Sequence, residues 1–189
     1  AFAARHDIPV WLTFGTLDMV SERFWRMERV YGFDSHDAFS IGPVEVRPFP
    51  VPHDAREPAQ CVFDDGCARL GVLTDVGMPT PHIRDMLSGC AALVLECNHD
   101  AELLRTGPYP PALKARIGSR YGHLPNADCA RLLASLDVSR LQHLVAAHLS
   151  ETNNTPQLAR AALAQAMGID AHEVHVATQT EGLHWLALA

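Results

Sequence analysis

The sequence predicts an α/β fold with mixed sheets, contained in one domain over residues 1–189. Short apolar runs of strand length alternate along the chain with amphipathic stretches of helical period. No internal repeat or low-complexity tract interrupts this order. The chain has 189 residues, of which 48% are hydrophobic and 20% charged, and this size and composition are typical of a single globular domain.

The predicted strands are runs rich in β-branched and apolar residues, and several of them end at a turn signal. They cover residues 9–13, 44–51, 60–63, 68–74, 91–96, 141–147, 173–177 and 183–188. The segment Asp64-Asp65-Gly66 is a hairpin turn between the third and fourth of these strands. Residues 91–96 are continuously apolar before Glu96, which predicts a strand buried on both faces.

The predicted helices follow from 3.6-residue periodicity and from capping residues. The first covers 18–31, with Val20, Phe24, Met27 and Tyr31 on one face, and another covers 81–87. A third begins at Pro110 or Pro111 and ends near Arg120. A fourth is capped by Asn126 and has an apolar stripe of Cys129, Leu132, Leu133 and Leu136. Thr155-Pro156 is the cap and first turn of a last helix, which reaches Met167 and ends at Gly168.

Bulk properties exclude some classes of protein. A net charge of −7 argues against a general basic surface for nucleic acid, although it leaves room for a local site. No apolar stretch reaches membrane-spanning length, and the first residues lack the pattern of a secretion signal, so we expect a cytoplasmic protein without a membrane partner. The five cysteines include no CxxC pair, which favours reduced thiols in the core.

Four predicted strands are each followed by a residue that can bind a metal. His53, Asp75, His99 and His148 come after the strands at 44–51, 68–74, 91–96 and 141–147. Active sites of α/β folds form at strand ends, because the loops there converge over a rigid sheet. Histidine together with carboxylate suits Zn, Mn or Fe. The sequence therefore predicts a metal centre at one edge of the sheet.

Five segments resemble the metallo-β-lactamase superfamily, and most closely its YycJ/WalJ-like branch. They are VPHDAREP (51–58), LTDVGMP (73–79), LECNHD (95–100), GHLPNADCARLL (122–133) and AHLSETNNTPQLA (147–159). The resemblance covers essentially the whole chain and implies an αββα sandwich. Members of this branch are described as metal-dependent hydrolases or 5′ to 3′ DNA exonucleases. The resemblance thus implies hydrolysis of phosphodiester bonds, in DNA or, alternatively, in small phosphodiesters.

The resemblance also implies roles for individual residues. His53 would bind a first metal ion, Asp75 would bridge two divalent ions such as Zn or Mn, and His148 would bind the second. His123 resembles a general acid that protonates the departing oxygen, which makes it and Asp75 the predicted catalytic residues. The alternative for His123 is a packing role at the entry of the helix that follows it.

The main metal motif of the superfamily, His-x-His-x-Asp-His, occurs nowhere in this sequence. The family carries it just upstream of a segment similar to residues 1–11, so we expect that the N-terminal part of the fold, with this motif, is missing from the chain. Three ligands would then remain, with one ion or none bound, and the chain alone could be inactive. A metal-free remnant or an interaction module is the third possible function.

Further polar residues are candidates for substrate contact or for supporting a ligand: Asp54, Asn98, His99, Ser150 and Asn153. A local turn or a loop cap would explain His99 and Asp54 equally well, and N-capping of the following helix would explain Asn154 or Thr155 equally well. A stretch with Arg105, Lys114, Arg116 and Arg120, interleaved with Tyr109 and Tyr121, could bind nucleic acid through phosphate contacts and base stacking. Alternatively, these residues form an ordinary solvent-exposed helix face without a binding role.

Overall fold

The structure is a computed structural model that describes residues 2–24 and 29–189. In chain order its helices and strands are α1 (Phe2–Arg5), β1 (Val10–Thr13), α2 (Phe14–Phe24), β2 (Val30–Phe33), β3 (Phe39–Ile41), β4 (Val44–Pro50), β5 (Ala59–Asp64), β6 (Arg69–Leu73), α3 (Pro81–Leu87), β7 (Ala92–Glu96), α4 (Ala101–Thr106), α5 (Pro111–Ile117), α6 (Asn126–Ala134), β8 (His143–Ala147), α7 (Pro156–Met167), a short 3₁₀ helix (Ala171–Glu173) and β9 (His175–Val176). The predicted mixed α/β architecture is confirmed.

The strand order brings four strand ends to one edge of the main sheet. In the described part of the chain this sheet has seven strands in the order β3-β4-β5-β6-β7-β8-β9, and β1 and β2 form a separate parallel pair. Strands β3 to β6 pair antiparallel, whereas β6 to β9 pair parallel. Because β4 and β6 both run antiparallel to β5, β4 points the same way as β6, β7 and β8. The segments after β4, β6, β7 and β8 therefore meet.

The core lies between the main sheet and the helices α3, α6 and α7. Leu93 and Leu95, on one face of β7, are fully or almost fully buried, whereas Val94 on the opposite face is only half-buried, so the predicted burial of both faces is wrong at Val94. Leu133 of α6 and Leu163 of α7 belong to the same apolar cluster. Burying side chains of this size is worth about 1.5–3 kcal/mol each. The packing holds the ends of β6, β7 and β8 in fixed positions relative to one another.

Capping residues define the starts of two helices, and the cap of α7 is the predicted one. Thr155 Oγ1 accepts a hydrogen bond from the backbone N–H of Leu158, and Pro156 occupies the first turn of α7. The helix ends at Gly168, whose φ of 67° is readily accessible only to a residue without a Cβ. Thr80 caps α3 in the same way, through the backbone N–H of Ile83.

The predicted helix over 18–31 is wrong at both ends. The helix begins at Phe14 and ends at Phe24, and Tyr31 lies in strand β2. Tyr31 pairs with Trp11 of β1, and their rings stack at a centroid distance of 5.1 Å. Met27, assigned to the helix face, lies outside the described residues. Strand pairing over a distance in sequence overrides helical periodicity here.

Other boundaries also differ from the prediction. Residues 183–188 form no strand; His143 Nε2 lies 2.8 Å from the carbonyl oxygen of Ala187, which ties this tail to the edge of β8. The cap of α6 is Pro125, whereas the Asn126 side chain bonds Asn154 instead. Strands β2 and β3 and helix α4 were not predicted, because each has six residues or fewer and shows little periodicity. Helix α5 ends at Ile117, earlier than predicted.

Among the described residues, none of the helices combines the length and the apolar character that crossing a bilayer would require.

Candidate metal centre

Three imidazoles surround one carboxylate at the edge where the four strands end. Asp75 Oδ1 lies 3.5 Å from His53 Nε2, 3.8 Å from His148 Nε2 and 3.8 Å from His123 Nδ1. The ring of His123 lies between the other two, with centroid distances of 5.2 Å to His53 and 5.3 Å to His148. Residues that are far apart in sequence thus form one cluster, as the strand-end pattern predicts.

Two members of the cluster have a left-handed backbone conformation. The φ angles are 51° at Asp75, which Thr74 separates from the end of β6, and 55° at His148, directly after β8. Such a conformation costs about 1–2 kcal/mol for a residue with a Cβ. Backbone strain of this kind persists at sites where it holds a side chain in a particular orientation. At both positions the bend turns the side chain toward the shared centre.

The buried carboxylate of Glu96, which the sequence analysis did not identify as a functional group, forms hydrogen bonds with two imidazoles of the cluster. Glu96 is 0% exposed, and its Oε1 lies 2.8 Å from Nδ1 of both His123 and His148. Its Oε2 accepts the backbone N–H of Val76 at 2.9 Å. Burial opposes ionisation of Glu96, but the hydrogen bonds from the two imidazoles and from Val76 outweigh it and lower the pKa of the carboxyl below its ordinary value.

Hydrogen bonds fix which nitrogen of each imidazole carries the proton. An ionised carboxylate only accepts hydrogen bonds, so Nδ1 of His123 and of His148 must donate to Glu96. Nδ1 of His53 donates to the carbonyl oxygen of Gly122 at 2.9 Å for the same reason. In their neutral forms all three rings then keep the lone pair on Nε2. This is the arrangement by which proteins orient metal-binding histidines.

The donor atoms of the cluster fit a divalent ion. His53, Asp75 and His123 each offer a ligand atom within 4.8 Å of the others, and Glu96, His123 and His148 form a second such group. Zinc binds imidazole nitrogen and carboxylate oxygen at about 2.0–2.2 Å, so ligand atoms around it are roughly 3.3–3.5 Å apart. The separation between His53 Nε2 and Asp75 Oδ1 already has this value.

The cluster opens into a cavity of about 580 Å³. His53, His123, His148 and Ser150 contribute to its wall. Arg116 also lines the cavity, and its Nε donates to Asp54 Oδ2 at 2.6 Å. This hydrogen bond lowers the pKa of the Asp54 carboxyl. A cationic side chain and a hydroxyl therefore face the space in front of the cluster.

The remaining predicted residues have different positions. Asn98 donates to the carbonyl oxygen of His148 at 3.0 Å, which holds the loop after β8. Asn153 is fully buried, and both its backbone N–H and its side-chain amide contact Ser150 Oγ. His99 is outside the cluster: it is 2% exposed, burial lowers its pKa, and it lines a separate cavity.

Sequence reasoning missed Glu96 as a functional residue. It closes the apolar run of β7 and was counted as part of that buried strand. A carboxylate at the end of a continuous apolar run was the available signal, since charged groups are almost never fully buried without partners.

Known proteins share this fold. A family model described as "Beta-lactamase superfamily domain" matches residues 2–149. The chain is 34% identical to exodeoxyribonuclease YycJ of Bacillus anthracis, over 92% of this chain and 69% of that protein. The metallo-beta-lactamase fold protein YhfI of Bacillus subtilis superposes with a TM-score of 0.71 at 14% identity, over 94% of this chain and 63% of that one. Zn²⁺-bound PqqB of Methylobacterium extorquens has a TM-score of 0.65 at 19% identity, over 93% and 64%.

These matches have different weight. The two solved structures are similar in fold alone, and this chain spans less than two thirds of either. The family model covers most of the chain, and the relative from Bacillus anthracis agrees with the branch that the sequence motifs indicate. The predicted family and fold are confirmed: the chain belongs to the beta-lactamase superfamily domain family.

Proposed function

We propose that the protein is a metal-dependent hydrolase of phosphodiester bonds and, more specifically, a 5′ to 3′ DNA exonuclease. The observation that carries this proposal is the convergence of His53, His123 and His148 on the Asp75 carboxylate. The name of the relative from Bacillus anthracis, an exodeoxyribonuclease, supports the same activity and DNA as substrate.

His53, Asp75 and His148 would hold the metal, either Zn or Mn. Asp75 faces both histidines from between them, so it is the ligand that two ions would share in the intact protein. Such ions, when bound, lower the pKa of a coordinated water toward about 7 and neutralise charge on the attacked phosphate. Because three ligands are few for a two-ion centre, we expect His53, Asp75 and His148 by themselves to hold one ion or none.

His123 is the proposed general acid. It lines the cavity, and its Nδ1 is held by Glu96. Because Nδ1 is engaged by Glu96, Nε2 is the nitrogen that would pass a proton to the departing oxygen of the substrate. General acid catalysis of this kind contributes about 10²- to 10⁴-fold. Glu96 acts through His123 and is a positioning residue.

Neighbouring polar groups would bind the substrate. Arg116 lies on the cavity wall with its side chain 69% exposed, and a guanidinium suits the two free oxygens of a phosphodiester. Ser150 offers a hydroxyl to the same space. Asn98 and Asn153 support the loop that carries His148 and Ser150. Asp54 positions Arg116 through their ion pair.

A hydrolase of small phosphodiesters is the second candidate. A cavity of about 580 Å³ has the size of an ordinary small-molecule site, so its volume alone does not require a polymer. The test supplies Mn or Zn to the full-length protein and compares 5′-phosphorylated duplex DNA with cyclic nucleotides and model diesters. Faster turnover of the small substrates would replace the exonuclease by this second function.

A substitution at the shared carboxylate tests the metal mechanism. Asp75→Asn keeps the shape of the side chain but removes its charge, so metal binding and hydrolysis should fall together by at least 100-fold. Metal content by atomic spectroscopy and turnover of DNA measure the two effects. Asp85→Asn, on the exposed surface of α3, is the matched control. Full activity in Asp75→Asn would refute the mechanism.

A further inference from the structure

A basic segment stands out in an otherwise acidic chain. The net charge of the protein is −7, yet no Asp or Glu occurs between Glu102 and Asp128. The same stretch contains four cations, which are Arg105, Lys114, Arg116 and Arg120. Like charges collected in one segment cost folding free energy through mutual repulsion. An anionic partner would offset that repulsion.

Three of these cations line a second cavity, distinct from the one at the metal centre. It has a volume of about 720 Å³, and Arg105, Lys114 and Arg120 lie on its wall. Apolar atoms of Leu104, Pro111 and Ala115 form another part of the wall. A single-stranded nucleic acid needs both features, because its phosphates bind cations and its bases pack against apolar surface.

Two of the cations are electrostatically uncompensated. Among the described residues, neither Lys114 nor Arg120 forms an ion pair, whereas Arg105 pairs with Glu102. Lys114 Nζ donates to the backbone carbonyl of Arg105 at 2.8 Å. Asp128 also lines this cavity, but its charge is paired with Arg131. Lys114 and Arg120 are thus the cations with charge available for a phosphate.

The second cavity adjoins the metal centre through two connections. Helix α5 separates the cavities, with Arg116 on the side of the metal cluster and Lys114 on the other side. Gly77, two residues after Asp75, packs so closely on the backbone of Arg120 that an added Cβ would lie 2.4 Å from its carbonyl carbon. The position of Arg120 is therefore coupled to the loop that carries the shared carboxylate.

We infer that the second cavity binds the phosphodiester backbone of the same DNA strand whose end lies at the metal centre, through Lys114 and Arg120. This inference rests on the proposed function. A helix with its side chains is about 10–12 Å wide, and stacked nucleotides rise about 3.4 Å each, so roughly three nucleotides cross α5 between the cavities. The second cavity therefore contributes to binding only for strands longer than this.

Binding to metal-free protein tests the inference apart from hydrolysis. Fluorescence anisotropy in EDTA compares a labelled single strand of about 12 nucleotides, a length within the usual range for such sites, with a labelled dinucleotide. Lys114→Gln/Arg120→Gln should weaken binding of the long strand roughly tenfold and lower the slope of log affinity against log salt by about 1.4, which is about 0.7 per lost phosphate contact. Binding of the dinucleotide should change less than twofold.

A double variant with the same change in charge is the control. Arg47→Gln/Arg84→Gln removes two exposed arginines that line neither cavity and that pair with Glu45 and Asp85. It should leave the affinity for the long strand within twofold of the wild type. Circular dichroism melting of both variants verifies that they are folded.

The outcomes separate this inference from the proposed function. An unchanged affinity in Lys114→Gln/Arg120→Gln, or an equal loss with the dinucleotide, would overturn the inference even if the protein hydrolyses DNA. Tighter binding of an RNA strand of the same sequence would overturn the assignment of DNA. If the protein cuts no DNA with any metal ion tested, but Lys114→Gln/Arg120→Gln still loses affinity for the long strand alone, the proposed exonuclease activity would be refuted and the proposed binding site would stand.

Discussion

Replacing Glu96 by Gln tests how much the buried carboxylate contributes to the metal centre. The glutamine has the same shape, but its amide has one acceptor and one donor group where Glu96 has two acceptors. If the NH₂ group faces Val76, two N–H donors oppose each other. If it faces the imidazoles, His123 and His148 must move their protons to Nε2, which removes the lone pair that would bind metal. Neither orientation preserves the site.

The size of the effect follows from these contacts. One buried donor left without an acceptor costs about 1–3 kcal/mol. Removing the desolvation cost of a buried charge offsets part of this loss, so the free energy of unfolding of the metal-free chain should fall by about 2 kcal/mol. For a chain of this size that corresponds to a decrease in Tm of about 5 °C. Metal affinity should decrease by about 10- to 100-fold, as is typical when the partner of a metal-binding histidine is lost.

Two measurements check the prediction for Glu96→Gln. Competition with a chromophoric chelator gives the metal affinity, and thermal melting followed by circular dichroism gives the change in Tm. Glu102→Gln is the matched control, since Glu102 is exposed and its carboxylate pairs with Arg105 on the surface of α4. A variant that binds metal within twofold of the wild type would refute the idea that Glu96 orients the two imidazoles.

Two further predictions concern stability. Asn154→Ala removes the buried amide that bonds Asn126, the Cys97 carbonyl and the Thr155 N–H. Its free energy of unfolding, measured with denaturant, should therefore be about 3 kcal/mol lower than that of the wild type. A decrease below about 1 kcal/mol would contradict this account. Asp65 accepts the backbone N–H groups of Ala68 and Cys67 in the β5–β6 turn, which lowers the pKa of its carboxyl. Its stabilising effect is therefore complete above the ordinary pKa of an aspartate and disappears as the pH falls through the lowered value. The free energies of unfolding of Asp65→Asn and of the wild type should therefore differ at neutral pH and become equal in strong acid. A difference that persists in strong acid would refute the stabilising role of the ionised Asp65 carboxylate.

Three of the four residues at predicted strand ends, His53, Asp75 and His148, lie together in the structure, whereas His99 lies elsewhere; their role as metal ligands stays a prediction. The strand runs before Asp75 and His148 are long and apolar, and their ends could be recognised from the residues alone. His53 reached the same edge because β4 runs parallel to β6 across the intervening β5, a relation that the order of strands in the sequence does not reveal. His123 has no strand before it and was identified through the family resemblance.

The wrong predictions share a physical cause. Tyr31 fits a helical face by spacing, yet it lies in a strand because β1 offers it a parallel partner. Asn126 precedes an apolar stripe as a capping residue would, but its amide forms a buried pair with Asn154, which lies 28 residues further along the chain. In both cases a distant partner provides a better interaction than the local one, and such partners are invisible in a window of neighbouring residues.

The sequence by itself determined the α/β class, the family, and the candidates His53, Asp75 and His148, because hydrophobic period, caps and short motifs are local properties of the chain. Only the tertiary structure decided that Glu96 fixes two imidazoles at once, and that Lys114 and Arg116 face different cavities. The physical reason is that hydrogen bonds and charge pairing depend on distances of a few ångströms between residues far apart in sequence. The order of strands in the sheet sets those distances.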